Sequence, residues 1–284
     1  MLPILRSVAA LRGEVAQWRR EGLRISFVPT MGALHDGHLS LVAAGLREAD
    51  RVVVSIFVNP TQFGPNEDFA AYPRTEAADV AKLEGAGAHA VYAPSVEEMY
   101  PAGASTTVTV AGVSEGLCGT FRPGHFAGVA TVVAKLLNQA QPDVALFGEK
   151  DYQQLQVIRR LVADLDIPVA IRGVPTLREA DGLAMSSRNA YLSPEERATA
   201  PALHRVLQDT AAKLRAGADA DVATREGIAA ILAAGFGSVD YLELRAADTL
   251  EPLPRLDRPG RLIVAARLGR ARLIDNIPVY SVMP

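Results

Sequence analysis

The chain has 284 residues, 49% of them hydrophobic and 21% charged, with 29 Lys and Arg against 32 Asp and Glu for a formal net charge of −3. That is apolar material for one large or two ordinary domains, and the near balance of charge leaves no basic face broad enough to make nucleic acid or an anionic membrane the main partner. The lone cysteine, Cys118, cannot form an internal disulfide and fits a reducing compartment, so the cytoplasm is the expected location.

Residues 1–20, MLPILRSVAALRGEVAQWRR, show no basic region ahead of an apolar stretch and no small-residue cleavage site. Their apolar residues are spaced like one face of a helix. No run elsewhere approaches the roughly 18 apolar residues of a membrane span. The runs LRISFV (23–28) and RVVVSIFV (51–58) are short and β-branched, and GHLSLVAAGLREAD between them has helical spacing, which makes a β-α-β unit. Continuous apolarity in the second run predicts a strand covered on both faces, as in a parallel sheet. The alternation continues with a helix near 75–86, a strand at 88–93, a helix near 126–140, a strand at 143–148, a helix near 151–164 and a strand near 168–172. This is the grammar of a Rossmann-like, doubly wound α/β domain with a parallel sheet.

The grammar changes near residue 175, which divides the chain into a domain at 1–175 and a smaller α+β domain at 176–284. In SPEERATAPALHRVLQDTAAKLRAG, Ser193 reads as an N-cap, Pro194 as the first helical residue, Glu196 as the capping-box partner and Gly217 as the stop, predicting one helix. A second helix near 220–234 precedes VDYLELRA, RLIVAARLG and ARLIDNIPV, whose short connections predict an antiparallel sheet.

The stretch VPTMGALHDGHLS (28–40) has the Gly32-to-Gly37 spacing of a phosphate loop, but His38 stands where the lysine belongs and Leu39 where a hydroxyl would meet magnesium. At the carboxyl end of a strand and the start of a helix, unpaired amides and the positive end of the helix dipole attract phosphate. His35 and His38 there would add donors suited to charge that develops in a transition state. Spacing alone allows equally that both are turn or capping residues. FGEKD (147–151) places Lys150 at another strand end, and AMSSRN (184–189) joins two hydroxyls to Arg188 in a clamp-like segment. Each alone also reads as a polar loop.

VPTMGALHDGH, SIFVNPTQF, YPRT, RPGHF, FGEKDYQQL and MSSRN, in this order and at these separations, closely resemble the pantothenate synthetase, or pantoate–β-alanine ligase, family. The resemblance runs from about residue 23 to RLIDN (272–276). The family belongs to the nucleotidyltransferases with an H-x-G-H signature, here His35, Asp36, Gly37 and His38. It implies an ATP-dependent ligase of pantothenate and coenzyme A biosynthesis that activates pantoate as pantoyl adenylate, releasing pyrophosphate, then joins it to β-alanine, releasing AMP.

By motif matching, the resemblance places ATP at Met31, Gly32, Ala33, Leu34, His35, Asp36, Gly37 and His38, at Gly148, Glu149, Lys150 and Asp151, at Leu177, and at Met185, Ser186, Ser187 and Arg188. His38 matches the proton donor, with His35, Lys150 and Arg188 completing the catalytic set. Gln62 matches the amide for pantoate and β-alanine, Gln154 an amide for pantoate, and Arg122 and His125 are expected in the same pocket. Mg2+ is expected with ATP. Asp79 is the only candidate carboxylate, and beside Ala78 it does not amount to a metal site, so no metal ligand is assigned. The resemblance also implies a homodimer formed through the amino-terminal domain, while the placement of Ser186, Ser187 and Arg188 just beyond the boundary near residue 175 leads to the expectation that the carboxyl-terminal domain acts as a mobile lid. Among alternatives, Leu39 argues against a P-loop kinase and the first strand–helix turn lacks a dinucleotide fingerprint; a non-catalytic nucleotide sensor stays open.

Overall fold

The computed structural model describes residues 1–65, 67 and 69–280. Two compact units are distinguished, one of Met1–Glu149 with Val157–Pro175, the other of Lys150–Gln156 with the chain from Thr176 onward.

The first half of the chain runs β1 (Ile4–Leu5), α1 (Val8–Arg20), β2 (Ile25–Thr30), α2 (Asp36–Glu48), β3 (Arg51–Ile56), a 3-10 turn at Pro60–Gln62, α3 (Glu76–Gly85) and β4 (Ala90–Tyr92). Two short helices follow, α4 (Val96–Met99) and α5 (Leu117–Phe121), then α6 (His125–Ala140), β5 (Val144–Gly148), α7 (Tyr152–Asp164) and β6 (Ala170–Val174). The strands of the first unit form a six-stranded sheet in the order β1-β4-β3-β2-β5-β6, every neighbouring pair parallel. This is the doubly wound sheet expected from the sequence. Ile25, Phe27 and Val28 of β2, Val52–Val54 of β3 and Val144–Phe147 of β5 are all buried, as strands covered on both faces must be. On one face Leu41 and Val42 of α2 pack with Val28, Val52, Val54, Val144 and Leu146. Each such aliphatic contributes about 1.5–3 kcal/mol relative to exposure, and together they fix where the amino end of α2 stands.

Strand β2 runs two residues beyond the expected end, through Pro29 to Thr30. Its pairing with β5 stops at Phe27, whereas its pairing with β3 continues to Thr30. Pro29, which has no N–H to give, therefore sits beyond the β5 ladder, where the missing donor costs nothing.

The second unit contains α8 (Pro194–Thr199), α9 (Ala202–Arg215), α10 (Ala220–Ala233) and the strands β7 (Ser238–Ala246), β8 (Gly260–Leu268) and β9 (Ala271–Val279). The strands pair antiparallel in the order β7-β8-β9. Leu203, Leu207, Leu214 and Ile231 of the helices pack with Leu242, Leu262, Val264 and Leu273 of the sheet. The capping box forms as expected: Ser193 Oγ accepts from Glu196 N at 3.2 Å and Glu196 Oε2 accepts from Ser193 N at 2.9 Å. The single helix expected from Ser193 to Gly217 is instead two, because Pro201 stands between them as the cap of α9. A proline there withholds the N–H that would continue the ladder to Arg197. Among the described residues no helix is long and apolar enough to cross a membrane.

Candidate active site

The strand order reverses at β2: β3 and β4 lie to one side of it, β5 and β6 to the other. Ligands of open α/β sheets bind outside the carboxyl ends of strands at such a reversal, and the segment following Thr30 lies there, as does Gly148 at the end of β5.

The turn after β2 is held by polar partners distant in sequence. Gly32 and Ala33 both have left-handed backbone, with φ of +82° and +52°. At Gly32 a side chain would also meet Asp79 Oδ2 and Ile56 Cγ2, each at 3.2 Å. Ala33 has no such licence, and its conformation costs about 1–2 kcal/mol. The counterweight is Asp79 of α3, only 1% exposed: Oδ2 accepts from Ala33 N at 2.9 Å and Oδ1 from Leu34 N at 2.8 Å, while Thr75 Oγ1 donates to Oδ2 at 3.1 Å. Lys82 Nζ donates to Leu34 O at 2.6 Å. Both Asp79 oxygens are thus used within the protein, and among the described residues no group of three His, Cys, Asp or Glu is placed to hold a metal ion.

Helix α2 begins with its two histidines in place of the usual Ser and Glu. His35 is the N-cap, in extended backbone, and its Nδ1 accepts from Gly37 N at 3.2 Å; His38, three residues on, accepts from His35 N through its own Nδ1 at 3.3 Å. The ring centroids are 4.1 Å apart. A nitrogen that accepts from a backbone N–H carries no proton, so each imidazole is in its neutral form with the N–H on Nε2. Capping and phosphate donation, which spacing leaves as alternatives, are therefore compatible uses of opposite edges of the same rings.

Gln62 is 8% exposed at the end of the turn Pro60–Gln62. Its Nε2 donates to Met31 Sδ at 3.0 Å, joining it to the turn after β2, and its Oε1 accepts from Asn59 Nδ2 at 3.1 Å. Asn59 is the hub: Nδ2 also donates to Gly128 O at 3.2 Å, and Oδ1 accepts from Tyr100 OH at 2.8 Å and Thr61 Oγ1 at 3.0 Å. Burial pushes the Tyr100 phenol up, against a smaller opposing effect of Thr61, so it serves as a neutral donor. Gly128 lets α6 approach this turn, since a Cβ there would stand 2.3 Å from Thr61 O.

Arg122 and His125 reach Gln62 through its backbone. His125 Nδ1 lies 2.9 Å from Gln62 O and its Nε2 lies 3.0 Å from Arg122 Nη1; because arginine only donates, Nε2 accepts and Nδ1–H donates to Gln62. Arg122 also grips Glu67 with Nε and Nη2 at 2.7 and 2.6 Å. Burial alone would raise the Glu67 carboxyl, but hydrogen bonds and charge from Arg122, with smaller help from the Gly64 amide, hold it below its ordinary value.

In the second unit, Lys150 and Ser186 line one pocket with Asn189 and Asp275. Lys150 sits in the 3-10 turn Glu149–Asp151, its Nζ 3.8 Å from Asp151 Oδ2. Ser186 caps the turn Ser187–Tyr191, Oγ accepting from Arg188 N at 3.3 Å. Leu177 and Met185 face each other across a small hairpin, Met185 N donating to Leu177 O at 3.0 Å. Gln154 is half-buried in the first turn of α7. Asp275 of β9 would be raised by burial, but His204, 3.6 Å away, and both arms of Arg178, at 2.7 and 2.8 Å, hold its carboxyl below the ordinary value.

Sequence reasoning missed Asn59, Tyr100, Glu67 and the use to which Asp79 is put. Asn59 had a signal: an Asx residue directly before proline often caps a turn.

Comparison with known proteins agrees with this geometry. The family profile described as pantoate-beta-alanine ligase matches residues 3–278. The pantothenate synthetase of Paramagnetospirillum magneticum is 66% identical over 276 residues, covering 97% of each chain. The crystal structure of pantothenate synthetase from Thermus thermophilus is 49% identical, with a TM-score of 0.93 over 98% of this chain and 100% of that one. That of pantoate-beta-alanine ligase from Francisella tularensis, complexed with beta-gamma ATP and beta-alanine, is 34% identical, with a TM-score of 0.83 over 98% and 97%. A match across nearly the whole length, reaching both units and every motif described above, means that the chain belongs to the pantoate–β-alanine ligase family.

Proposed function

We propose that this ligase works in two steps, with ATP as substrate. A carboxylate oxygen of pantoate attacks the α-phosphorus of ATP, the bond from that phosphorus to the bridging oxygen breaks, and pyrophosphate leaves. The amine of β-alanine then attacks the acyl carbon of pantoyl adenylate, AMP departs with the former carboxylate oxygen, and the nitrogen loses a proton as the amide forms. The observation that carries this reading is the pair of capping imidazoles beside the sheet's reversal, whose Nε2–H donors suit growing negative charge on phosphate without a fixed charge in the ground state.

In this reading His38 and His35 stabilise the departing phosphate oxygens, and Lys150 and Arg188 hold them as cations. Gln62 and Gln154 bind pantoate, Gln62 meeting β-alanine as well. Neutral amides offer both donors and acceptors to a hydroxy acid, and Asn59 holds the Gln62 side chain in place before substrate arrives. Arg122 and His125 support that position through the Gln62 carbonyl. Mg2+ enters with ATP, bound mainly by phosphate oxygens and water, in keeping with the commitment of both Asp79 oxygens to the turn. We further propose a homodimer working in the cytoplasm.

The test is a coupled assay on the full chain. AMP and pyrophosphate must appear in equal amounts only when pantoate and β-alanine are both present at steady state. Formation of ADP, or turnover indifferent to either acid, overturns the reading.

A further inference from the structure

Strand β9 carries two adjacent polar residues, Asp275 and Asn276, each only 2% exposed. Successive strand residues leave on opposite faces, and each of these takes hold of a different segment of the second unit.

Asp275 binds both arms of Arg178, whose Nη1 also donates to Gly182 O at 3.0 Å. Gly182 lies in the hairpin closed by Glu179 N to Leu183 O at 2.8 Å and Met185 N to Leu177 O at 3.0 Å. The strand thus grips, through Arg178, the hairpin that leads directly into Ser186–Arg188. Asn276 works on the other face: its Nδ2 donates to the backbone carbonyl of Lys150 at 2.8 Å, and its Oδ1 accepts from Arg261 Nε at 2.5 Å. Arg261 in turn lies 4.1 Å over the ring of Tyr152, two residues beyond Lys150. Arg178 Nη2 touches Asn276 O at 3.4 Å, so the two grips share one stretch of backbone.

Stability is a poor reason for this arrangement, because an apolar replacement of a buried ion pair is often neutral or stabilising. What the pair supplies is register. We propose that Asp275 and Asn276 are positioning residues for nucleotide binding: Asn276 fixes Lys150, and Asp275 fixes Met185–Arg188 through Arg178, so that both segments meet the same polyphosphate. The proposal rests on the reading of Lys150 and Arg188 as phosphate contacts given above.

A double-mutant cycle tests it in the full-length enzyme. Asn276→Asp keeps the volume and the acceptor for Arg261 but turns an oxygen toward the Lys150 carbonyl. The KM for ATP should rise about tenfold, short of the roughly hundredfold that a misplacement of about 1 Å can cost, while the KM for pantoate stays within twofold. In the Lys150→Ala background the same change should add nothing, because the residue works through Lys150. An equal rise in both backgrounds, or an unchanged KM for ATP, overturns the proposal. Wild-type ATP constants in Lys150→Ala alone would instead take down the phosphate reading on which it rests. Should Asn276→Asp not fold, Arg178→Lys reports through the other face: a lysine cannot hold both Asp275 oxygens and Gly182 O, so the KM for ATP must rise, and the rise must vanish in the Arg188→Ala background. A rise that persists there refutes the idea.

Discussion

Replacing Asp79 by asparagine removes charge and one acceptor from the turn after β2 while leaving size unchanged. The carboxylate receives Leu34 N at 2.8 Å and Ala33 N at 2.9 Å. An asparagine keeps an oxygen for one of these and turns an N–H against the other. A hydrogen bond to a charged group contributes roughly 1.5–3 kcal/mol, and a buried amide left unpaired costs roughly 1–3 kcal/mol. Because Ala33 is held in a left-handed conformation it would otherwise leave, the loss of about 2–4 kcal/mol falls first on the turn itself. At about 1.4 kcal/mol per factor of ten, the population of turn competent to bind ATP falls roughly 30- to 700-fold. Exchange of labelled pyrophosphate into ATP in the presence of pantoate measures adenylate formation alone, and a thermal melt separates this local effect from loss of the fold. Exchange within threefold of wild type, in a protein that melts normally, would refute the claim that Asp79 organises the turn.

His38→Ala should lower the same exchange by roughly two to three orders of magnitude, the cost of one preorganised donor, and unaltered exchange would remove His38 from the mechanism. Gln62→Ala and Gln154→Ala should weaken pantoate far more than ATP, as read by equilibrium binding of each; equal weakening of both ligands would point to damage rather than to a lost contact. The depressed Asp275 carboxyl makes stability acid-sensitive. Its contribution is complete above the unfolded value of 3.8 and is lost as pH falls through the lower folded value. Asp275→Asn, which leaves Arg178 without its partner, should cost about 3–5 kcal/mol at pH 7, and the gap to wild type in thermal melts should close only below the ordinary aspartate range. A gap independent of pH would contradict the linkage.

The sheet was legible because its signal is local and periodic. RVVVSIFV can be little other than a strand covered on both faces, and Ser193 with Glu196 announces a helix start by chemistry alone. The break at Pro201 was equally local, and the strong cap and stop at either end masked it. The two-residue strand β1 is too short for any period to show. The polar scaffold of the site was hidden for a different reason. Asp79 meets the turn across 45 and 46 residues, and Asn276 meets Lys150 across 126. Single long-range hydrogen bonds leave no repeat in the sequence, and a lone Asp or Asn in an amphipathic segment looks solvated until the fold buries it. Arg122 illustrates the converse. Its type and its motif point toward substrate, whereas its charge is met by Glu67, a residue that no spacing connects to it.

The histidine pair carries a consequence that neither the motif nor the helix start contains separately. If the rings capped α2 through Nε2, or alternated between tautomers, the donors proposed to meet phosphate would be present only part of the time. The structure instead sets a backbone N–H against Nδ1 of each ring, at 3.2 and 3.3 Å. A second proton on Nδ1 would oppose those amides, so the cap selects the neutral Nε2–H form and keeps it selected before ATP arrives, which is what preorganisation requires. Nitrogen-15 spectra of the protein at neutral pH, labelled at histidine and assigned with His35→Asn and His38→Asn, should show both rings as Nε2–H tautomers with or without nucleotide. A dominant Nδ1–H tautomer in either ring, or averaged shifts that resolve only when ATP is added, would mean that the cap does not fix the donors and that binding must do so instead.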